Sequence, residues 1–486
     1  MSKQEIVNQY QKSVKVTQIL TQIQQDQNHF QITNMVGSSM SFVISETFKK
    51  VDKTYLLILN DKEEAAYLLN DLEQLLGDKN VLFYPGSYRR PYQIDETDNA
   101  NVLLRSEVLN RINSRKKPTI IVTYPEALFE KVVTKKELER NTLKLSVTEN
   151  VSLDFVNEML FEYNFNRVDF VTEPGDFSVR GGIIDVFSFS NDEPYRIEFF
   201  GDEVDSIRTF DIETQLSKEK IRKANIMPNV ENKTLQEKRE SFLKYISSKT
   251  VIFTKNNDLL IGKLDKLFAK AEDAFNELSK ELSHSKPADL FCNGDFIKNQ
   301  LSEFTVASLE SYTHGNKPII DFITKAQPPF NKQFDLLIEN LNDYHTKGFA
   351  NYIFCANEQQ AQRFHDIFED AKEEVHYQTI VFSLYQGFID LDEKIVCYTD
   401  HQIFERYHKF RLKNGYAKKQ SITLKELNNL DIGDYVTHMD HGIGKFGGLQ
   451  KIDVEGKKQE AIKLIYGDRD ILYVSIHSLH KISKFS

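Results

Sequence analysis

The part of the sequence that most constrains the fold is residues 173–210, where three short runs have the alternation and the length of β-strands. In YRIEFF at residues 195–200, large apolar side chains alternate with an arginine and a glutamate, which predicts one buried and one solvated face. Pro-Gly, Gly-Gly and Gly-Asp pairs supply the turns. We expect a small antiparallel sheet. Arg180 and Phe187 are its candidate contacts, because arginines and aromatics on an exposed face anchor protein interfaces.

Strand-like and helical runs alternate on both sides of this stretch, a pattern typical of parallel α/β sheets. Before it, apolar runs such as residues 55–59 have the composition of buried strands. After it, α/β character resumes near residue 218, and a pair of prolines at 328–329 marks the start of a second, smaller α/β unit. The β-rich stretch is therefore expected to be inserted into a split α/β domain.

The loop before the first long α/β helix decides between classes of function. Phosphate-binding loops of nucleotide hydrolases are glycine-rich and end in Gly-Lys-Ser/Thr, whose lysine reaches the phosphates and whose hydroxyl binds Mg²⁺. Here residues 36–42 read VGSSMSF, so Gly37, Ser38 and Ser39 form a degenerate loop without that lysine. The sequence therefore predicts no bound nucleotide and no catalytic residue in this chain.

The C-terminal stretch predicts a compact β unit. Short strand-like runs between residues 434 and 474 are separated by turns that contain glycine. Four to five such strands suggest a small SH3- or Tudor-like barrel. His438 and His441 are close in sequence, but they have no cysteine partner, so we expect a turn and no metal site.

Composition excludes several classes of protein. The net charge of −10 implies no global attraction to nucleic acid. The three cysteines are far apart and two lie in apolar runs, which indicates buried thiols in a reducing compartment. No apolar run approaches the ~20 residues of a membrane span, and the N-terminus lacks the apolar core of a signal peptide. We therefore expect a cytoplasmic protein with no membrane association.

Residues 177–187 (FSVRGGIIDVF) and the acidic-aromatic hairpin after them resemble the UvrB-homology module of the bacterial transcription-repair coupling factors (Mfd). In that family the module docks the damage-recognition protein UvrA. The resemblance implies UvrA contacts at Arg167, Arg180 and Phe187. Two alternatives stay open. Arg167 could cap the preceding helix, where a cation is favoured, and Phe187 could belong to the core.

The C-terminal unit resembles the CarD-like RNA polymerase-interacting domain of the same family. The resemblance rests on residues 434–446 (DYVTHMDHGIGKF) and 473–479 (YVSIHSL). In the family this domain pairs a strand edge with the β subunit of the polymerase, a mode known as β-augmentation. The residues that the resemblance implies at this contact are Lys445, Phe446, Leu449 and Ile452.

The expected fold is a multidomain α/β protein. It combines a UvrB-like split α/β domain, an inserted small antiparallel β domain, a second small α/β domain and a C-terminal SH3/Tudor-like β-barrel. The predicted boundaries are 1–133 and 214–323 for the halves of the split domain, 134–213 for the inserted UvrA-binding domain, 324–413 for the second α/β domain, 414–426 for a linker and 427–486 for the CarD-like domain.

The resemblance implies a role in transcription-coupled nucleotide excision repair. Full-length members continue into an ATP-dependent DNA translocase that uses ATP and Mg²⁺. This chain is therefore expected to be the N-terminal half, most simply an engineered fragment, with weak or no DNA binding of its own. As a non-catalytic adaptor it would join stalled RNA polymerase, through the β subunit, to UvrA. The alternatives are a nucleotide hydrolase using the first α/β domain, or a stand-alone CarD-like transcription regulator.

Overall fold

A computed structural model describes most of the chain. In it the chain forms two compact units. One unit comprises residues 1–137 and 231–413, and the other comprises residues 138–230 and 414–486. The residues outside the description are 1, 26–27, 78–79, 88–98, 115–116, 192, 213, 230–237, 278–284, 311–316, 372–373, 407–431, 439–440, 455–456, 468–469, 476–481 and 485–486.

The first segment alternates helices and strands. Its elements are α1 (Ser2–Lys12), α2 (Val14–Ile23), β1 (His29–Thr33), α3 (Ser39–Lys49), β2 (Tyr55–Ile58), α4 (Lys62–Leu76), β3 (Val81–Tyr84), α5 (Asn99–Ser114), β4 (Ile120–Thr123), α6 (Pro125–Phe129) and β5 (Val132–Val133). Strands β2, β3 and β4 are buried at every position, as expected in a parallel sheet. Helix α4 begins after Asp61, whose side chain accepts a hydrogen bond from the amide of Glu64.

The next segment is mostly β-structure. Its elements are α7 (Lys135–Arg140), β6 (Leu143–Ser146), α8 (Leu153–Glu162), β7 (Asn166–Arg167), β8 (Asp176–Arg180), β9 (Ile183–Val186), β10 (Tyr195–Phe200), β11 (Glu203–Phe210), β12 (Ser217–Ile221) and β13 (Lys223–Ile226). Six of the strands form a sheet in the order β12-β11-β10-β9-β8-β7, antiparallel except for the pair of β7 with β8. The predicted antiparallel sheet is confirmed. It continues past the predicted boundary at residue 213, because β12 extends it and β13 returns to pair with β6.

The chain then resumes the α/β pattern with β14 (Arg239–Glu240), α9 (Phe242–Tyr245), β15 (Val251–Thr254), α10 (Asn257–Glu277), α11 (Pro287–Leu290), α12 (Gly294–Leu301), β16 (Thr305–Leu309) and β17 (Ile319–Asp321). One seven-stranded parallel sheet has the order β17-β1-β16-β15-β2-β4-β3. Strands from before and after the β-rich segment therefore share one sheet, which confirms that the α/β domain is split.

A second sheet follows in the same unit. Its segment contains β18 (Thr324–Ala326), α13 (Phe334–Thr346), β19 (Ala350–Cys355), α14 (Glu358–Glu369), β20 (Gln378–Val381), β21 (Phe388–Asp390), β22 (Ile395–Thr399) and α15 (Asp400–Ile403). The strand order is β18-β21-β22-β19-β20, with β20, β19 and β22 parallel and the other two antiparallel. The core of this small α/β domain includes Leu337, Ile353 and Phe364.

The C-terminal segment contains β23 (Tyr435–His438), β24 (Gly442–Val454), β25 (Lys457–Ile465), β26 (Ile471–Ser475) and β27 (Ile482–Lys484). All neighbours are antiparallel, in the order β26-β25-β24-β23-β27. No pairing joins β26 to β27 among the described residues, so the structure shows a five-stranded sheet and the closed barrel stays a prediction. In the described part of the chain, no helix is both long and apolar enough to cross a membrane.

Candidate protein-interaction surfaces

One face of the six-stranded sheet carries a row of charged side chains. The strand registers pair Asp185 with Arg196, Arg196 with Arg208 and Arg208 with Lys220, so these residues are neighbours across four strands. Arg180 lies on the same face, because its guanidinium also binds the Asp185 carboxylate. The predicted solvated face is therefore present, and it is built from cations joined by carboxylates.

Asp185 holds this row together. Its side chain is buried, and Arg196 donates to both of its oxygens, from Nε at 2.7 Å and from Nη2 at 2.9 Å. The hydrogen bond to Asp185 is the main cause that raises the pKa of Arg196. A buried carboxylate is costly unless it is paired, and two guanidinium groups pair this one. The contact orients Arg180 while 44% of its side chain stays exposed.

Aromatic rings support both arginines. The guanidinium of Arg180 lies 5.5 Å from the ring of Phe170, and that of Arg196 lies 4.6 Å from the ring of Phe210. Phe210 in turn packs with Phe187 and Val171 in a small buried cluster. The charged face and this cluster therefore form one structural unit.

The position of Phe187 corrects a sequence-based expectation. The side chain has no exposed surface, so it cannot contact a partner in this conformation. Val168 and Ile212, both partly buried, pack against the cluster that contains it. Phe187 therefore takes the core alternative and supports the surface that carries the arginines.

Arg167 lies where a surface contact is possible. It is exposed in strand β7, which runs parallel to β8 and places Arg167 opposite Phe177. Helix α8 ends with its C-cap at Tyr163, so Arg167 belongs to the sheet and does not cap the helix. Arg167 and Arg180 therefore project from neighbouring strands.

Sequence reasoning missed a set of exposed aromatic side chains. Phe200, next to the turn between β10 and β11, is 85% exposed. A register shift after Glu198 changes the alternation there, which a strict two-residue period does not predict. On α8 the buried residues are Val156 and Leu160, whereas Phe155 is half exposed.

The predicted polymerase contacts fall in different environments. Lys445 is exposed, and its amine lies 5.1 Å from the ring centre of Tyr435. Phe446 is buried in the core of the sheet, so the expectation that it contacts a partner is wrong for this conformation. Leu449 is 46% exposed. Ile452 pairs in register with Gln459, but its side chain lies outside the described part of the structure.

Strand β24 has an open edge. It pairs with β25 from Lys445 to Val454, but it pairs with β23 only from Gly442 to Lys445. Along the later part of β24, one edge therefore has no partner strand among the described residues. Unpaired backbone groups on such an edge can accept a strand from another protein. The structure thus offers an edge of the kind that the family resemblance implies.

The degenerate phosphate loop lies at the start of α3. Gly37 has a φ of +57°, and Ser38 is the N-cap residue of the helix. Ser38 and Ser39 are both buried. No group of three or more histidine, cysteine or acidic side chains is placed to hold a metal ion within the described residues.

Two domain families match this chain. The UvrB interaction domain matches residues 143–231, and the CarD-like/TRCF RID domain matches residues 430–486. The first match covers the strands from β6 to β13, including β12 and β13 beyond the predicted boundary. The second covers all five strands of the C-terminal sheet. Both modules that sequence reasoning recognised are therefore present in the chain.

The chain is also similar to curated proteins over nearly its whole length. It is 25% identical to the transcription-repair-coupling factor of Bacillus subtilis (strain 168) over an alignment of 533 positions, and the aligned part covers 93% of the chain and 45% of the relative. It is 26% identical to the transcription-repair-coupling factor of Staphylococcus aureus (strain NCTC 8325 / PS 47) over an alignment of 554 positions, and the aligned part covers 96% of the chain and 47% of the relative. The chain spans about half the length of the curated relatives that it matches.

Proposed function

We propose that this chain, which carries a UvrB interaction domain and a CarD-like/TRCF RID domain, is a non-catalytic adaptor in transcription-coupled repair. The inserted sheet binds UvrA, and the C-terminal sheet binds the β subunit of RNA polymerase. The presence of both domains in one chain carries the proposal, because a chain that binds both partners can bring them together. The proposal requires no cofactor in this chain.

The UvrA site that we propose is the charged face of the six-stranded sheet. Arg180 is its central side chain, because Asp185 and Phe170 hold the guanidinium in place while nearly half of the side chain remains exposed. An arginine fixed in this way loses little conformational freedom on binding and can form paired hydrogen bonds with a carboxylate. Arg167 on the neighbouring strand is a second exposed cation, but its register with Phe177 places it on the opposite face of the sheet from Arg180.

Replacing Arg180 with alanine is expected to weaken UvrA binding by about 30-fold, the effect of losing a hot spot of ~2 kcal/mol. Arg180→Lys should recover only part of the affinity, because an ammonium group cannot form the two-pronged contact. The measurement is a titration of the full chain with UvrA by calorimetry. Arg222→Ala is the matched control, since Arg222 is an exposed arginine in the turn between β12 and β13. Equal affinities for the Arg180 and Arg222 variants would contradict the proposed site.

The polymerase site that we propose is the open edge of β24. Backbone pairing along an edge discriminates poorly between partners, so side chains next to the edge must supply specificity. Leu449 is half exposed there, and Ile452 follows on the same strand. Strand β26 is the terminal strand on the other side of the sheet and therefore offers a competing edge.

Ile452→Arg is expected to weaken binding to the polymerase β subunit by at least about tenfold, because an unpaired charge is costly in a desolvated contact. Thermal unfolding of the full chain should be unchanged. The matched control is Ile471→Arg, which places the same charge on β26, where the isoleucine is also exposed. Loss of binding in the Ile471 variant alone would assign the contact to the opposite edge and refute the proposal for β24.

A further inference from the structure

Residues 384–387 of the small α/β domain fill the degenerate loop at the start of α3. The backbone N–H of Ser38 donates to the carbonyl oxygen of Gln386 at 3.1 Å. In return the N–H of Gln386 donates to Oγ of Ser38 at 3.0 Å. The amide of Ser38 is therefore already hydrogen-bonded within the chain, although amides in such loops otherwise cradle phosphate groups.

The loop at Gly37 and the backbone of residues 386–387 approach each other so closely that position 37 requires glycine. Gly37 has a φ of +57°, and a Cβ atom there would lie 2.8 Å from the carbonyl oxygen of Gly387 and 3.2 Å from that of Gln386. Both obstacles are backbone atoms, which cannot rotate away as the end of a side chain would. A side chain at position 37 would therefore push the two segments apart.

Asp71 of α4 supplies a carboxyl group to the same site. Its Oδ1 accepts a hydrogen bond from the N–H of Tyr385 at 3.0 Å, and its Oδ2 accepts one from Oγ of Ser41 at 3.0 Å. The ring of Tyr385 stacks on Tyr67, also of α4, with ring centres 3.7 Å apart. Residues 384–387 are thus held by the loop, through Ser38, and by α4, through Asp71 and Tyr67.

The small domain holds the other side of the segment. The N–H of Gly387 donates to Oε1 of Gln402 at 2.7 Å, so Tyr385, Gln386 and Gly387 each donate their amide to a side chain. Beside them, the buried ring of Phe42 contacts the rings of Phe354 and Phe388. Polar and apolar contacts together join the two domains at this loop.

We infer that residues 384–387 are a built-in plug, which occupies the phosphate position of the degenerate loop and fixes the small α/β domain to the first α/β domain. A nucleotide could reach the loop only by expelling a segment whose amides at Tyr385 and Gln386 would then lose their acceptors, Asp71 and Ser38. The two domains therefore move as one body that does not respond to nucleotide. The inference is independent of the UvrA and polymerase contacts, because it concerns the other structural unit of the chain.

The test is hydrogen–deuterium exchange of the full chain, followed by mass spectrometry of peptides that cover residues 384–387. Gly37→Ala should accelerate their exchange by about tenfold or more, because it expels the plug. Ser38→Ala should also accelerate it, through loss of the acceptor for Gln386. Gly348→Ala is the matched control, since Gly348 has a φ of +80° but open space around its Cβ position. It imposes the same kind of backbone strain without a clash.

Two results would overturn the inference. One is unchanged exchange at residues 384–387 in both the Gly37 and the Ser38 variants, since the plug would then not depend on the loop. The other is faster exchange of this segment in the unmodified chain on addition of millimolar MgATP, which would show that a nucleotide displaces it. Two results together support the plug. MgATP leaves the exchange of residues 384–387 unchanged, and the Gly37 variant accelerates it, alone or together with the Ser38 variant, while the Gly348 control does not.

Discussion

Phe187→Ala is expected to lower the stability of the inserted domain by about 3–5 kcal/mol, the usual cost of removing a buried phenylalanine ring. Phe187 is fully buried with Val171 and Phe210, so its loss leaves a cavity that the small cluster cannot fill. UvrA binding should weaken as a consequence, because Phe170 and Phe210 of the same region support the two arginines of the charged face. Thermal unfolding and UvrA titration of the same variant measure both effects.

The control for this prediction is Phe200→Ala. Phe200 is the most exposed phenylalanine in the described part of the structure, so its truncation should change stability by less than about 0.5 kcal/mol. Phe187→Leu keeps an apolar side chain and should recover part of the stability and part of the affinity. If Phe187→Ala abolished UvrA binding without lowering the unfolding temperature, the ring would contact the partner directly and its assignment to the core would be wrong.

Asp71→Asn is expected to make the chain more stable than the unmodified protein at pH 8, by up to about 4 kcal/mol. Burial raises the pKa of Asp71 from 3.8 to about 7, although hydrogen bonds from Ser38, Tyr385 and Ser41 act to lower it. Asparagine is neutral at every pH and can keep one acceptor and one donor at this site. It therefore resembles the protonated aspartic acid.

The direction of the pH dependence follows from the number of protons that the folded and unfolded states bind. Between pH 4 and pH 7 the folded protein keeps the proton on Asp71, whereas the unfolded chain has released it. The folded state binds more protons, so its stability falls as pH rises through this window and levels off above pH 8. The stabilisation by Asp71→Asn should accordingly grow by roughly 3 kcal/mol between pH 5 and pH 8.

Denaturant unfolding of both proteins at several pH values measures this difference. The other titratable groups are present in both proteins, so their contributions cancel in the difference curve. A stability difference that does not change with pH would show that the donors around Asp71 keep it ionised throughout.

Local patterns were enough to predict the elements on which the proposed function depends. The two-residue alternation in YRIEFF and the glycine-containing turns around it specify antiparallel strands, because both signals act between near neighbours in the chain. Continuous apolar runs identified the buried parallel strands in the same way. The missing lysine of the phosphate loop was equally visible in the sequence. These features do not depend on where distant segments fold.

Burial of individual side chains depended on those distant segments. Phe187 shares a sheet face with Asp185, and the residues that cover it come from the flanking segments around Val171 and Ile212. Phe446 belongs to a strand whose inner face is defined by partners such as Ile462 and Ile482. The alternation of apolar and polar residues along a strand indicates which side chains share a face of the sheet. It does not indicate which face other segments of the chain cover.

The amino-acid sequence by itself determined the order of the domains, the strands of the two interaction modules and the loss of the phosphate-binding lysine. The tertiary structure alone decided that Phe187 is covered, that one edge of β24 is open and that residues 384–387 fill the loop at Gly37. The last contact joins segments about 350 residues apart in the chain. Such contacts depend on the packing of whole domains against one another, and no periodicity within a short window encodes that packing.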